Sequence, residues 1–154
     1  MRLRFKWVIG ILILFAILTG CATSSSVSIG QLAPQQKRIT TAALVSRDGK
    51  CCSPEMDSYI RQQLIAYGIM TKQALPIGTH QSNDVDVIVA YSDVWRWDYV
   101  MYLRSLTINL FDGSSGNLLA TSRWDNSTLH EVQNPRAIIK ELLDDIFSKL
   151  PVLK

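Results

Sequence analysis

The sequence predicts an α+β fold in which a mixed sheet of about five strands is covered on one face by two helices. Two segments have the apolar spacing and capping residues of helices, and the other apolar segments have the length and composition of strands. The predicted order is β-α-β-β-β-β-α, to within one strand. A crossover helix followed by a meander and a final helix is most simply packed with both helices on one face of the sheet.

Both predicted helices begin with capping residues. The first covers residues 54–67, with Ser53 as its N-cap, and Gly68 occupies the position where a left-handed residue ends a helix. The second begins after Asn134, and Pro135 takes the first helical position. Its apolar residues form a broad stripe at helical spacing, made of Ile138, Ile139, Leu142, Leu143, Ile146, Phe147 and Leu150.

Five strands are predicted from β-branched and apolar runs bounded by turn residues. From Asp84 onward the pattern alternates with both faces apolar, which is typical of an interior strand. Residues 113–116 read Gly-Ser-Ser-Gly, a composition that tolerates positive φ and favours a hairpin. The predicted strands are residues 38–46, 69–75, 85–91, 101–112 and 117–126.

The first 20 residues have the layout of a secretory signal. Three basic residues precede an unbroken apolar run from Trp7 to Leu18, and small residues follow. A membrane-spanning helix needs about 20 apolar residues, and this run is shorter and is followed by the polar residues 22–28. We therefore predict a cleaved signal over residues 1–20, with an uncleaved membrane anchor or an ordinary signal peptide as the alternatives.

The run Leu18-Thr19-Gly20-Cys21 resembles the lipobox of bacterial lipoproteins. The resemblance implies cleavage between Gly20 and Cys21, attachment of a diacylglycerol to the Cys21 sulfur, and acylation of the new amino terminus, for example with palmitate. Each buried CH₂ contributes about 0.8 kcal/mol, so three chains would make release from the membrane negligible. Ala22 follows the cysteine, which in similar lipoproteins implies an outer-membrane location with the domain facing the periplasm.

Length and charge limit the functions open to the rest of the chain. Residues 21–37 are rich in Ser, Gln and small residues, so we predict a lipidated flexible tether there and a single periplasmic domain over residues 38–154. The chain has 16 basic and 13 acidic residues, and three of the basic ones lie in the predicted signal. The mature side-chain charge is therefore near zero, and we predict no nucleic-acid binding.

The sequence contains no convincing catalytic or metal-binding motif. Cys51 and Cys52 are candidates for a disulfide or redox site, but they lack the Cys-x-x-Cys spacing, and a structural pair bridged to itself or to a second chain is the alternative. His80 and His130 stand alone, without a second histidine or a cysteine at metal-ligand spacing. We predict no metal, no cofactor and no enzymatic activity.

Polar residues near the central strands offer weaker candidates. Asp84 and Asp86 share a face by alternation and could perform acid–base work, although solvated charges at a strand end are the interpretation that we favour. Two more carboxylates, Asp93 and Asp98, flank the aromatic strand. Ser114 and Ser115 are predicted to form a turn, because no strand–turn–helix elbow surrounds them.

Aromatic residues around position 97 are the best functional clue. Trp95, Trp97 and Tyr99 fall on one face by alternation, and Tyr102 and Trp124 would lie near them across the meander. Amphipathic rings are enriched at recognition surfaces, and rows of rings can also stack on sugars. These five residues are our candidates for a partner-binding site. For Trp95 and Trp97, packing in the core or extension of a curled hairpin is the interpretation that we favour.

Residues 84–89 (DVDVIV), the hairpin 110–119 and the final helix 137–150 resemble the small αβ domains of Gram-negative envelope lipoproteins. Similar domains include uncharacterised proteobacterial lipoprotein domains and, more distantly, the amino-terminal domain of TolB and the periplasmic domains that activate penicillin-binding proteins. The resemblance implies a non-catalytic module that binds an envelope protein or associates with copies of itself. The alternative is a peptidoglycan- or glycan-binding module that uses the aromatic strand.

Overall fold

The computed structural model describes residues 23–30, 38–45, 54–126 and 133–150. These residues form one six-stranded mixed sheet and two helices, so the predicted α+β class is confirmed, with one strand more than the predicted five. The elements are β1 (Ser24–Ile29), β2 (Thr41–Leu44), α1 (Pro54–Ala66), β3 (Met70–Thr71), β4 (Val87–Asp98), β5 (Val100–Asp112), β6 (Leu118–Asp125) and α2 (Pro135–Lys149).

The strands lie in the order β1-β6-β5-β4-β2-β3. β2 is parallel to both of its neighbours, β3 and β4, whereas β4, β5, β6 and β1 form successive antiparallel pairs. The parallel part of the sheet therefore contains the strand–helix–strand unit formed by β2, α1 and β3. The antiparallel part contains the predicted meander. β1 and β3 form the two opposite edges.

Both helices pack on the same face of the sheet, as predicted. Buried residues of α1, α2 and the central strands join one apolar cluster, which includes Leu64, Leu106 and Leu142. Close to the carboxyl ends of the helices, the rings of Tyr67 and Phe147 lie 4.7 Å apart. On the other face, the described residues form a small apolar cluster around Ala43, Val85 and Ile88.

The predicted helix ends agree with the structure where it describes them. The Asn134 side chain accepts a hydrogen bond from the Arg136 backbone N–H at 3.0 Å, and Pro135 is the first residue of α2. Gly68 follows α1 with a φ of 77°, and its N–H donates to the carbonyl of Ile65. Gly68 therefore acts as the left-handed residue that ends the helix. Ser53 lies outside the described residues.

β1 corrects the prediction of a flexible tether over residues 21–37. Ser24–Ile29 pairs with β6 along its whole length, from Ser24 opposite Asp125 to Ile29 opposite Ala120. Val27 and Ile29 are partly buried against the helix-face core, while Ser26 and Ser28 face the other way. The sheet therefore begins well before residue 38, the predicted start of the domain.

Several predicted strands differ in extent from those of the structure. The strand predicted over residues 69–75 is reduced to β3 and a single bridge between Val45 and Leu75. The strands predicted over 85–91 and 101–112 are instead parts of one long hairpin, because β4 continues to Asp98 and β5 begins at Val100. In the described part of the chain, no helix combines the length and apolar character needed to cross a bilayer.

Candidate functional site

The outer end of the β4–β5 hairpin extends beyond the rest of the described sheet. On β5, Ser105 is the last residue in this direction that pairs with β6, where it lies opposite Asp125. Residues 95–103 continue past this point as a two-stranded ribbon, and none of the described strands pairs with it. Tyr99 alone connects Asp98 to Val100 and has a φ of 62°. We call residues 95–103 the ribbon.

A β-bulge separates the ribbon from the sheet. Val94 pairs with Ser105 but Trp95 pairs with Leu103, so Arg104 is an extra residue on β5. The Arg104 guanidinium donates to the carbonyl of Asn126, and the Asn126 N–H donates to the Arg104 carbonyl at 2.9 Å. The bulge is thus held by the residue that follows β6. A bulge increases local twist, so this contact helps to set the direction in which the ribbon projects.

Three of the five predicted aromatic residues are withdrawn from solvent. Trp124 is 3% exposed and lies in the core beneath α2, and Tyr102 is 5% exposed. Trp95 is half-buried at the base of the ribbon, where its Nε1 donates to the Asp93 Oδ2 at 2.7 Å. In this conformation Tyr102 and Trp124 offer no surface to a partner. Trp95 packs against the core, as the packing interpretation predicted for it.

The other two predicted aromatics are exposed at the end of the ribbon. Trp97 is 70% exposed and Tyr99 is 93% exposed. Val100 and Met101, on the returning strand, are also among the exposed large apolar residues, and Met101 pairs directly with Trp97. We call Trp97, Tyr99, Val100 and Met101 the ribbon tip. The prediction missed Val100 and Met101. Their apolar side chains, at the start of a strand and next to an aromatic cluster, could have indicated that they belong to the same surface.

Asp86 serves the fold rather than an acid–base site. Its Oδ2 accepts hydrogen bonds from the backbone N–H and hydroxyl groups of both Thr40 and Thr41, at 2.7 to 3.0 Å. These bonds tie the start of β2 to the start of β4. Asp84 is exposed in the preceding turn, and its carbonyl accepts from the Lys72 ammonium. Asp84 is therefore a solvated charge, as favoured above, whereas Asp86 is partly buried and hydrogen-bonded, and Asp98 lies at the exposed end of β4.

Ser114 and Ser115 form the predicted turn. Both hydroxyl groups and the Ser115 N–H donate to the Asp112 Oδ1 at 2.6 to 2.8 Å. Partial burial acts to raise the pKa of Asp112, but the hydrogen bonds from Ser114 and Ser115 together outweigh it and hold that pKa below its ordinary value. The carboxylate stabilises the turn, and these serines have no nucleophile geometry.

Of the remaining predicted site residues, the structure describes only His80. Gly20, Cys21, Cys51, Cys52 and His130 lie outside the described residues, and His80 is exposed in a loop. Within the described ranges, no three His, Cys, Asp or Glu side chains are grouped as a metal site would require.

The sheet face opposite the helices is mostly polar across β1, β6, β5 and β4. The register places Ser26, Arg123, Thr107 and Ser92 in one transverse row on that face. Among the described residues, apolar side chains on this face form the small cluster near β2, and Val94 is partly exposed on the same face. This leaves the ribbon tip as an apolar surface that projects from the sheet.

Comparison with solved structures shows which known fold this chain shares. A PelC dodecamer from Paraburkholderia phytofirmans that carries one substitution has a TM-score of 0.55 and 16% sequence identity, over 85% of this chain and 99% of that one. Another PelC dodecamer from the same organism has a TM-score of 0.53 and 17% identity, over 82% of this chain and 98% of that one. No protein-family model and no curated protein matches the chain.

Proposed function

We propose that this chain is a lipid-anchored protein of the Gram-negative outer membrane whose periplasmic domain is a non-catalytic module that assembles with copies of itself. The observation that carries the proposal is the likeness to two dodecameric structures, which extends over nearly the whole of those chains. At this level of identity the likeness shows the fold alone, so assembly of this chain is the part that requires a test.

The two sheet edges support assembly. A cyclic head-to-tail assembly needs two different surfaces on each copy, and β1 and β3 lie at opposite ends of the strand order. At the β3 edge, Met70 is 66% exposed, and Ile65 at the end of α1 is exposed as well. Edge strands present unpaired backbone groups that another chain can use. We therefore place the contact between the β3 edge of one copy and the β1 edge of the next.

Native mass spectrometry of the mature chain tests this assembly. The parent is expected to form a discrete oligomer, and Met70→Arg is expected to shift it to monomer, because a charge would be buried at the contact. Ser92→Arg is the matched control, since Ser92 is exposed in the middle of the polar sheet face. A parent that stays monomeric with and without its acyl chains rejects assembly. An oligomer indifferent to Met70→Arg rejects the β3 edge as the contact.

The lipid anchor is tested separately, by the mass of the amino-terminal peptide. The proposal expects a peptide that begins at Cys21 and carries the added mass of a diacylglycerol and an amide-linked acyl chain. Cys21→Ser is expected to leave residues 1–20 attached, because the lipid acceptor is absent. An unmodified residue 21 with the leader still present would reject the anchor and, with it, the proposed location.

Glycan binding is a second candidate, favoured by the exposure of Trp97 and Tyr99. Aromatic faces at this exposure could stack on sugar rings of peptidoglycan. Sedimentation with purified cell wall tests the idea, with Trp97→Ala as the variant and the exposed α1 substitution Gln62→Ala as the control. Equal sedimentation of all three proteins would remove this candidate.

A further inference from the structure

The ribbon tip concentrates apolar side chains that the fold leaves uncovered. All four of its members are at least half exposed, and Tyr99 at 93% has almost no contact with the rest of the chain. Isolated exposed apolar residues are common, but a contiguous group on a projecting element marks an interaction site. The ribbon has one basic residue, Arg96, and one acidic residue, Asp98. Its recognition chemistry therefore comes from apolar and aromatic surface rather than from net charge.

The start of β1 lies at the same end of the sheet as the ribbon. Strand pairing places Ser24 opposite Asp125, Asp125 opposite Ser105, and Ser105 opposite Val94. These four residues form one transverse row, and the ribbon begins immediately beyond it. The chain that precedes Ser24 consequently leaves the sheet at the end from which the ribbon projects.

Chain geometry gives the distances by which Trp97 and Cys21 can extend beyond this row of residues. Trp97 is three residues beyond Val94 along β4, a distance of about 10 Å at the rise of a strand. Cys21 is three residues before Ser24, so its Cα lies at most about 10 Å from that of Ser24. The acyl chains and the ribbon tip can therefore meet the same plane without any rearrangement of the domain.

We infer that the ribbon tip inserts into the headgroup region of the lipid leaflet that holds the Cys21 acyl chains. The inference rests on the acylation proposed above and adds a second, protein-borne membrane contact. Trp and Tyr rings suit this environment, because their apolar bodies enter the acyl boundary while the indole N–H and phenol O–H stay hydrated. Two contacts at one end of the domain would fix its orientation on the membrane, which an acyl anchor alone does not do.

Tryptophan fluorescence of the acylated mature protein in vesicles measures this insertion. Of the four tryptophans, Trp7 is removed with the predicted signal, and Trp95, Trp97 and Trp124 remain. Vesicles of phosphatidylethanolamine and phosphatidylglycerol with brominated acyl chains quench only rings that reach the bilayer. We expect strong quenching of the parent and loss of most of it in Trp97→Phe, which keeps an apolar ring but removes the reporter. Tyr99→Ser combined with Met101→Ser should also reduce quenching, because the tip then enters less deeply.

The outcomes separate this inference from the proposed function. Flotation with the vesicles reports the acyl anchor, whereas quenching reports the ribbon tip. A protein that floats but is quenched no more than Trp97→Phe overturns the inference and leaves the anchor in place. If the chain proves unacylated, the same measurement at high lipid concentration still decides, and absence of quenching overturns the inference. A Trp97 emission shift on assembly or on addition of peptidoglycan, without quenching by vesicles, would instead assign the tip to a second copy or to a glycan.

Discussion

At the residue scale, Gly113 lies where the β5–β6 hairpin contacts the loop that precedes β4. Its N–H donates to the Asp86 carbonyl at 2.9 Å, and its carbonyl accepts from the Ser82 N–H at 2.7 Å. A Cβ at this position would lie 2.0 Å from the Val85 carbonyl oxygen. Gly113→Ala should therefore lower the free energy of unfolding by more than about 2 kcal/mol, measured by urea denaturation.

Gly78→Ala is the control for this effect. Gly78 has a φ of +79°, and a Cβ added there would meet no atom within 4 Å, so only the backbone conformation opposes a side chain. The expected cost is about 1 kcal/mol. Equal losses of unfolding free energy in the two variants would mean that the backbone around Gly113 moves easily to make room for a Cβ.

Asp112 should make stability depend on acid pH. Burial acts to raise its pKa, but hydrogen bonds from Ser114 and Ser115 outweigh this effect, so the pKa in the folded chain is lower than the ordinary 3.8. A lowered folded pKa gives stability that is fully present above the ordinary value and is lost as the pH falls through the folded value. Between about pH 5 and pH 3, the urea midpoint of Asp112→Asn should therefore fall less than that of the parent, with Ser114→Ala in between. Parallel pH profiles for all three proteins would contradict this role.

Single residues also show where sequence reasoning succeeds and where it fails. The Gly-Ser-Ser-Gly turn and the Asn134 cap were predictable, because each depends on local hydrogen bonds and allowed φ values. The burial of Trp124 could be predicted in part, because alternation along β6 places it on the same face as the buried Ala120. The extra residue at Arg104 was not, because a bulge shifts the alternation of a strand without a distinctive local composition.

At the element scale, the start of α2 depends on one side chain. The Asn134 oxygen accepts from the Arg136 N–H, which no carbonyl within the helix can satisfy. Asn134→Ala should destabilise the domain by about 1 kcal/mol, whereas Asn134→Asp should keep most of the stability because Asp is an equally good N-cap. Thermal unfolding followed by circular dichroism checks both. A loss in Asn134→Asp as large as that in Asn134→Ala would show that the cap bond is not the cause.

β1 shows why composition misled the prediction for a whole element. Its serines lower intrinsic β propensity and make the segment resemble a linker. However, Val27 and Ile29 occupy alternate positions, which is the period of a strand with one buried face. The strand that pairs with β1, β6, lies almost a hundred residues later in the chain, and long-range pairing of this kind leaves no signal in the local sequence. The β3 segment was overpredicted for the opposite reason, because its apolar residues indicated more pairing than the sheet provides.

At the scale of the whole molecule, the boundary of the domain can be tested by truncation. If β1 is part of the sheet, a chain beginning at residue 31 exposes the edge of β6 and removes the burial of Val27 and Ile29. We expect it to lose at least about 2 kcal/mol of stability relative to a chain beginning at Ala22. Urea denaturation of the two chains measures the difference. A chain beginning at Thr23, which keeps β1, is the control and should match the longer one.

Identical stability of the chains beginning at Ala22 and at residue 31 would restore the tether interpretation for this segment. The overall class was predictable despite this error, because the two helix stripes and the central strands each have a strong periodic signal. The sequence did not show which strands lie at the edges: β2 is an interior strand, whereas the strands before and after it in the chain, β1 and β3, form the edges of the sheet.

Incorporation of β1 into the sheet also has a mechanical consequence. A pull transmitted through the proposed amino-terminal lipid would act along β1, parallel to its backbone and across its hydrogen bonds to β6. A force in this direction loads all the hydrogen bonds between β1 and β6 together instead of breaking them one after another. The domain would therefore resist such a pull through the combined hydrogen bonds of a six-residue strand.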